Sequence, residues 1–196
     1  MWERAFGDPP TAALAVASRL YLRRPRTGDY EQWAALRNQS RGFLTPWEPS
    51  WPRDALTRDS FRRRIRRAAQ EWREETGYGF FLVRRTDDAL LGGITLGSVR
   101  RGVAQTATLG YWLGAPHARQ GLMTEGVECA LDFAFDRLGL HRVEAACLPN
   151  NIASRGLLKK CGFREEGLAR EYLKINGRWT DHVLFGILAT DSRPRG

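Results

Sequence analysis

The sequence has few of the residues from which metal centres, disulfide frameworks and membrane spans are built. Its 196 residues include three cysteines and three histidines, widely scattered, so neither a disulfide framework nor a metal site is expected. No apolar run approaches the roughly 20 residues that span a bilayer. The Ala-rich stretch 11–18 has no basic segment before it, which is a poor pattern for a signal peptide, and a cytoplasmic location is expected.

Lysine is also scarce. Of the 31 basic residues only Lys159, Lys160 and Lys174 are lysines, and the net charge is +9. Such a charge favours an anionic partner, either a phosphorylated cofactor or RNA. With 42% hydrophobic and 11% aromatic residues the chain is able to bury a core, and its length fits a single domain spanning residues 1–196, with loose ends at about 1–15 and 190–196.

Hydrophobic periodicity and turn residues predict a mixed α/β domain. Strands are predicted at residues 20–24, 79–85, 90–99, 106–113, 142–148, 163–174 and 179–188. Helices are predicted at residues 28–37, 54–75, 121–138 and 151–161. Asp54 is the expected N-cap of the second helix. Three prolines exclude a regular helix from the loop 42–52, and Asn176-Gly177 predicts a hairpin turn.

The turn 118–125 lies between a predicted strand and the third predicted helix. Pro116 breaks the strand, and Gly121 opens the helix without a side chain that would block close approach. The amides of residues 119–124 are then unpaired, and the helix dipole favours negative charge beside them. This arrangement suits a pyrophosphate, although a plain structural turn is the alternative for a glycine at a helix start.

Two segments around this turn carry a more specific pattern. The first reads YWLGAPHARQGLMTEG from Tyr111, and the second reads HRVEAACLPNNIASRGLLKKCGFREEG from His141. Together they resemble the GNAT superfamily of acyl-CoA-dependent N-acyltransferases. Four motifs are similar to its RimJ/RimL branch, the ribosomal-protein alanine N-acetyltransferases: Pro46-Trp47-Glu48-Pro49, Gly121-Leu122-Met123-Thr124-Glu125, Asn151-x-x-Ser154 leading to Gly162-Phe163, and Gly177-Arg178-Trp179-x-Asp181-His182. The resemblance covers residues 18–189, the expected core of the domain.

The resemblance implies a fold and a cofactor. The fold is an α/β (α+β) domain whose mixed sheet of six to seven strands is flanked by four helices, with a V-shaped splay between the fourth and fifth predicted strands. The cofactor is acetyl-CoA, its pyrophosphate on the turn and its pantetheine arm at Asn151. Ala118 stands where the family has Gln or Arg, and Arg119 is expected to supply charge instead. The expected cofactor-binding residues are Tyr111, Trp112, Leu113, Arg119, Gln120, Gly121, Leu122, Met123, Thr124, Asn151 and Ser154.

Acetyl transfer to a primary amine needs a group that accepts the ammonium proton and another that protonates the departing thiolate. The strand 106–113 has no acidic residue, which removes the family's common base. Glu48, Glu171 and Asp181 are the remaining candidates, with surface ion pairs as the alternative for the last two. The resemblance places Ser154 near the CoA sulfur. Leu158 stands where some relatives have a tyrosine that protonates the thiolate. A role in capping the helix is the alternative for Ser154.

The acceptor is the least determined part. Phe43, Trp47, Glu48 and Trp51 are expected to line its groove, with packing as the alternative for the aromatic rings. The leading interpretation is the N-terminal alanine or serine of a ribosomal protein. A small amine such as an antibiotic, polyamine or amino acid is the second, and a non-catalytic RNA-binding assembly factor is the third. The predicted second helix has arginines at positions 58, 62, 63, 64, 66, 67 and 73. They are interpreted either as a solvated face or as a contact with ribosomal RNA.

Overall fold

The computed structural model describes residues 12–193, so most of the two predicted loose ends lies outside the described residues. The strands are β1 (Ala15–Val16), β2 (Leu20–Arg23), β3 (Tyr78–Arg84), β4 (Leu90–Arg100), β5 (Thr106–Leu113), β6 (Arg142–Cys147), β7 (Arg164–Ile175) and β8 (Arg178–Leu188). The helices are α1 (Tyr30–Gln39), α2 (Arg41–Leu44), α3 (Arg58–Arg73), α4 (Leu122–Asp132) and α5 (Ile152–Lys160). No described helix is long and apolar enough to cross a membrane.

All eight strands belong to one mixed sheet in the order β1-β2-β3-β4-β5-β6-β8-β7. Every neighbouring pair is antiparallel except β5 and β6, which are parallel. Those two strands pair only from Thr106 to Thr108, against Arg142 to Glu144, and then diverge. The predicted fold class and its splay are therefore confirmed. The strand beyond the predicted seven is β1, whose two residues are too few for any periodicity to indicate.

The two faces of the sheet are covered by different helices. Leu20, Leu22 and Leu82 belong to a large apolar cluster with α4 and α5. Tyr21 and Phe81, which point the opposite way, belong to a smaller cluster with α1 and the first half of α3. Because side chains alternate along a strand, neighbouring residues of β2 and β3 serve both cores.

The start of α3 differs from the prediction. The helix begins at Arg58, and its N-cap is Thr57, whose hydroxyl accepts the Ser60 amide at 3.2 Å. Asp54 lies in the preceding turn, where its carbonyl accepts the Thr57 amide and its carboxylate pairs with Arg63. Asp54 as N-cap was therefore wrong, because an equally good capping side chain stands three residues later.

The glycine turns agree with the prediction. The helix that α4 begins continues as a π-turn over Phe133–Arg137 and ends at Gly139, with a φ of 65°. Asn176 and Gly177 have φ angles of 45° and 82° and join Ile175 of β7 to its partner Arg178 of β8. Two consecutive positive φ angles are what a tight hairpin turn of this kind requires.

Candidate active site

A cavity of about 980 Å³ lies where β5 and β6 diverge. Ten of the eleven predicted cofactor-binding residues line it; the exception is Gln120, whose side chain turns back to donate to the Pro116 carbonyl at 3.0 Å. Phe43, Trp47 and Glu48 line the same cavity. The splay therefore brings the predicted cofactor residues and most of the predicted groove residues to one continuous space.

The turn before α4 has the geometry expected of an anion site. Gly121 is the N-cap and has a φ of 76°, in the left-handed region that favours glycine. A glycine has no side chain to cap the helix, so the first-turn amides of Leu122, Met123 and Thr124 are not capped from that position. These amides and the N-terminal end of the helix dipole face the cavity that the same three residues line.

An arginine that sequence reasoning missed lies against this turn. Arg19 forms an ion pair with Glu125 in the first turn of α4 and donates to the Gln120 carbonyl at 2.9 Å. A Cβ atom at Gly121 would lie 3.2 Å from the Arg19 guanidinium. Arg19 therefore brings positive charge to the turn where Ala118 lacks it. No local pattern indicates this pair, because 106 residues separate its members.

At the N-terminus of α5, helix capping and a hydroxyl facing the site, the two alternatives for Ser154, fall to different residues. Asn151 is the N-cap, and its side-chain oxygen accepts the Ser154 amide at 3.0 Å. The Ser154 hydroxyl does not cap the helix; its Oγ lies 2.6 Å from the hydroxyl of Tyr111 on β5. Leu158, one turn further on, is fully buried in the core.

Tyr111 was predicted as a cofactor-binding residue, but the sequence did not indicate the contact that its side chain makes with Ser154. Burial raises the pKa of the Tyr111 phenol well above its usual range, with the Ser154 hydrogen bond lowering it in part. The phenol is therefore protonated at neutral pH. Burial also raises the pKa of the Cys147 thiol, which lines the cavity next to this pair, so the thiol is neutral.

Glu48 is held by two neighbours. Arg37 donates to both of its oxygens at 2.7 Å, and Trp51 Nε1 donates to one of them at 2.8 Å. The Arg37 guanidinium lies between two rings, 4.2 Å from the centre of Trp51 and 4.9 Å from that of Trp112. Trp51, a predicted groove residue, does not itself line the cavity and acts behind Glu48.

Glu171 lies outside the cavity, on the exposed strand β7. It sits in a β-bulge between Ala169 and Leu173 with a φ of 46°, and its amide donates to Asp181 Oδ1 at 2.8 Å. Two of the three candidate bases, Glu171 and Asp181, are thus joined at the bulge through the Glu171 backbone, where the Asp181 carboxylate accepts the amide that the bulge leaves without a ladder partner.

The cavity fits acetyl-CoA in three respects. Uncapped amides offer donors for a pyrophosphate, and Arg19 adds positive charge against the same turn. Beyond Thr108, β5 no longer pairs with β6, so its backbone groups on that side are available to an extended amide-containing arm. At the inner end, the hydroxyls of Tyr111 and Ser154 lie beside each other, where a sulfur-bearing end would arrive.

Known proteins share this sequence and fold. Residues 19–164 match the family described as the acetyltransferase (GNAT) domain. The probable N-acetyltransferase YjcK of Bacillus subtilis is 37% identical over 172 residues, which cover 88% of this chain and 95% of that protein. The [ribosomal protein uS5]-alanine N-acetyltransferase of Escherichia coli is 30% identical over 179 residues, or 91% of this chain and 92% of that protein.

A solved structure agrees with both relatives. Mycobacterium smegmatis RimJ in complex with CoA-disulfide has a TM-score of 0.82 and 33% identity to this chain, covering 87% of it and 82% of that chain. The family match, over residues 19–164, spans the β5–β6 splay and the turn before α4. The chain therefore belongs to the GNAT acetyltransferase family, in its RimJ/RimL branch, and is an acetyl-CoA-dependent N-acetyltransferase.

Proposed function

We propose that the acceptor is the N-terminal amine of a protein, with an alanine or serine terminus of a ribosomal protein as the first choice. The observation that carries this proposal is the aromatic half of the cavity. Phe43 and Trp47 line it and remain 45% and 37% exposed. Exposed apolar rings beside a reaction site favour a chain that continues past the reacting amine, which a small amine lacks. The relative that acts on ribosomal protein uS5 adds support.

The residues around the turn hold the cofactor in this proposal. Acetyl-CoA supplies an activated thioester. The first-turn amides of α4 and the Arg19 guanidinium bind the pyrophosphate, and Arg119, in a left-handed conformation with a φ of 61°, adds charge at the rim. Asn151 contacts the pantetheine arm through its amide nitrogen, since its oxygen is engaged by the Ser154 amide.

The Tyr111–Ser154 pair protonates the leaving group. Ser154 Oγ donates to the departing sulfur while the Tyr111 hydroxyl, 2.6 Å away, donates to Ser154 Oγ. The raised pKa of Tyr111 keeps its proton in place until the sulfur develops charge. A backbone amide at the cavity-lining end of β5, around Tyr111–Leu113, polarises the thioester carbonyl.

Glu48 shapes the acceptor groove in this proposal. Its two oxygens already accept hydrogen bonds from Arg37 and Trp51, which leaves neither oxygen without a donor. Its negative charge still favours a cationic amine in the cavity. The exposed position of Glu171, outside the cavity, argues against its acting as the base.

Turnover of matched acceptors tests the proposal. Release of free CoA is followed by chromatography with peptides that begin with Ala or Ser, with the same peptides blocked at the N-terminus, and with a polyamine and an aminoglycoside. We expect higher kcat/KM for the free peptides, no turnover of the blocked ones, and a fall in kcat/KM when the peptide is shortened to one residue. Preference for a small amine over all peptides contradicts the proposal.

Contact with ribosomal RNA through α3 is a second proposal. All seven of its arginines are exposed, but Arg58, Arg62, Arg63 and Arg67 form ion pairs with neighbouring carboxylates. Arg64, Arg66 and Arg73 form none with residues 12–193. Because the Arg64 guanidinium lies over the Trp33 ring, Arg66 and Arg73 are the ones to change. Binding of an rRNA fragment should weaken with salt and with Arg66→Glu and Arg73→Glu, but less with Arg170→Glu on β7. Salt-independent binding contradicts it.

A further inference from the structure

One imidazole on the cavity wall has no part in the roles above. His182 lies on β8, lines the cavity and is only 3% exposed. Its Nδ1 atom lies 2.9 Å from the Thr180 carbonyl oxygen on the same strand. The ring is therefore held at a fixed position in the wall of the site.

The contact with Thr180 determines which ring nitrogen carries the proton. A carbonyl oxygen only accepts hydrogen bonds, so Nδ1 is the protonated nitrogen and Nε2 of the neutral ring has the lone pair. Nε2 has no hydrogen-bond partner within residues 12–193. In that part of the chain, Arg37 Nε is the one fully buried side-chain N or O atom that lacks a partner. His182 Nε2 also lacks a partner, so it is not fully buried and is open to the cavity that the ring lines.

The bulge of β7 supports the ring from the other side. Tyr172 packs its ring edgewise against His182, with the centres 5.9 Å apart. The bulge that presents Tyr172 is closed by the Glu171 amide on Asp181 Oδ1. Glu171 and Asp181, two of the three candidate bases of the sequence analysis, thus hold the strand segment that carries Tyr172 against the imidazole.

The other ionisable groups of the cavity leave few alternatives for a base. They come from the groove loop, the turn before α4 and four other elements: Glu48, Tyr111, Arg119, Cys147, Lys160 and Lys174. Among these described lining residues, Glu48 is the one carboxylate, and both its oxygens are bound. The arginine and lysine side chains offer hydrogen-bond donors and no acceptor. Burial raises the pKa of both Tyr111 and Cys147, so these two are neutral donors. The imidazole of His182, through Nε2, is the remaining proton acceptor in this lining.

We propose that Nε2 of His182 is the general base that takes the first proton from the acceptor amine. This inference rests on the proposed transfer to an amine that arrives as an ammonium ion. One N–H bond breaks, its electron pair stays on nitrogen, and the proton moves to Nε2, giving an imidazolium that returns it to solvent. The freed pair forms the N–C bond, the C–S electron pair leaves with sulfur, and the second amine proton replaces the one given by the Tyr111–Ser154 pair.

His182→Asn is the discriminating variant. Its amide nitrogen replaces Nδ1 as the donor to the Thr180 carbonyl, while the Nε2 base is lost. Wild type and variant are compared by kcat/KM for the best acceptor from about pH 6.5 to 9.5, across the ordinary α-amine pKa of about 8. We expect the variant to be about 100-fold slower near pH 7 and to approach wild type above pH 9, where the amine is already neutral. Added imidazole should partly restore His182→Ala at pH 7.

Each outcome has one meaning. If His182→Asn lowers kcat/KM by the same factor at every pH, and imidazole does not rescue His182→Ala, then His182 is not the general base and its role is packing. A variant as fast as wild type at pH 7 overturns the general-base role as well. Wild type that turns over no amine, although it binds acetyl-CoA by calorimetry, overturns the proposed function itself. Tyr172→Phe, which keeps the ring against His182, should retain the wild-type pH profile.

Discussion

The hydroxyl of Tyr111 lies 2.6 Å from Ser154 Oγ, across the gap where β5 and β6 part. The two residues are 43 positions apart in the chain, and they meet because α5 starts at the end of β6 with Asn151 as its cap. Asn151 engages the Ser154 backbone, which leaves the hydroxyl for Tyr111. The pair is thus the product of the splay and of a helix cap together.

Removing the Tyr111 hydroxyl should slow the chemical step. In Tyr111→Phe we expect kcat to fall about 100-fold while the acetyl-CoA Kd changes little. The reason is that the phenol supports proton donation through Ser154 only when the C–S bond breaks. Ser154→Ala should cause a similar loss. The double variant should lose less than the product of the two factors, since both hydroxyls belong to one hydrogen-bonded unit.

Tyr30→Phe is the matched control for this pair. It deletes the same atom from a tyrosine whose hydroxyl donates to the Leu56 carbonyl, away from the cavity lining. Rapid-quench single turnovers separate chemistry from product release. Equal single-turnover rates for wild type and Tyr111→Phe, or losses in the two single variants that multiply in the double one, would contradict a shared proton-donating role.

The ion pair of Arg37 and Glu48 should contribute to stability. Their side chains are 10% and 22% exposed, so Glu48→Gln leaves a largely buried guanidinium without its counter-charge. We expect the free energy of unfolding in urea to fall by about 3 kcal/mol. Glu31→Gln, which breaks the exposed pair with Arg58, should cost less than about 0.5 kcal/mol. Equal losses for both variants would show that the enclosure of Arg37 does not matter.

Local patterns predicted most of the fold. Apolar alternation and the turn residues place the seven longer strands, and Asn176-Gly177 forms the predicted hairpin turn, because these signals act between neighbours in the chain. The N-cap of α3 was misplaced by three residues, since Asp54 and Thr57 are both good caps and their surroundings decide between them. Strand β1 is too short for a periodic signal.

Local sequence patterns indicated the backbone part of the site, whereas its long-range side-chain contacts could not be predicted. Gly121 and the amides after it follow from one local turn, and these residues do line the cavity. Arg19 reaches the same turn through a pair with Glu125 that spans 106 residues, which no local pattern encodes. His182 was noticed only as part of a motif. Its relation to the cavity depends on the pairing of β8 between β6 and β7.

Strand β4 should tolerate alanine at one glycine and not at another. A Cβ at Gly92 would lie 2.3 Å from the Trp112 carbonyl oxygen, so Gly92→Ala forces β4 and β5 apart. We expect a loss of about 2 to 3 kcal/mol in urea unfolding. At Gly97 on the same strand the nearest atom is 3.7 Å away, in the Thr95 side chain, and Gly97→Ala should be nearly neutral. A neutral Gly92→Ala would contradict the close β4–β5 contact.

Gly121→Glu should abolish most cofactor binding without unfolding the protein. The new carboxylate would stand beside the first-turn amides and compete with the pyrophosphate for them and for Arg19, and Gly121 itself has a φ of 76° that a side chain makes costly. We expect calorimetry to show an acetyl-CoA Kd about 100-fold higher, which corresponds to about 2.7 kcal/mol.

Gly102→Glu separates the two contributions to that loss. Gly102 also has a left-handed φ, 65°, and no atom within 4 Å of its Cβ position, and it lies in the turn between β4 and β5. The backbone strain of the two variants should therefore be alike, at about 1 kcal/mol, and so should their loss of thermal stability. Only Gly121→Glu should weaken acetyl-CoA binding. If both variants bind acetyl-CoA as wild type does, the pyrophosphate lies elsewhere than on the amides of α4.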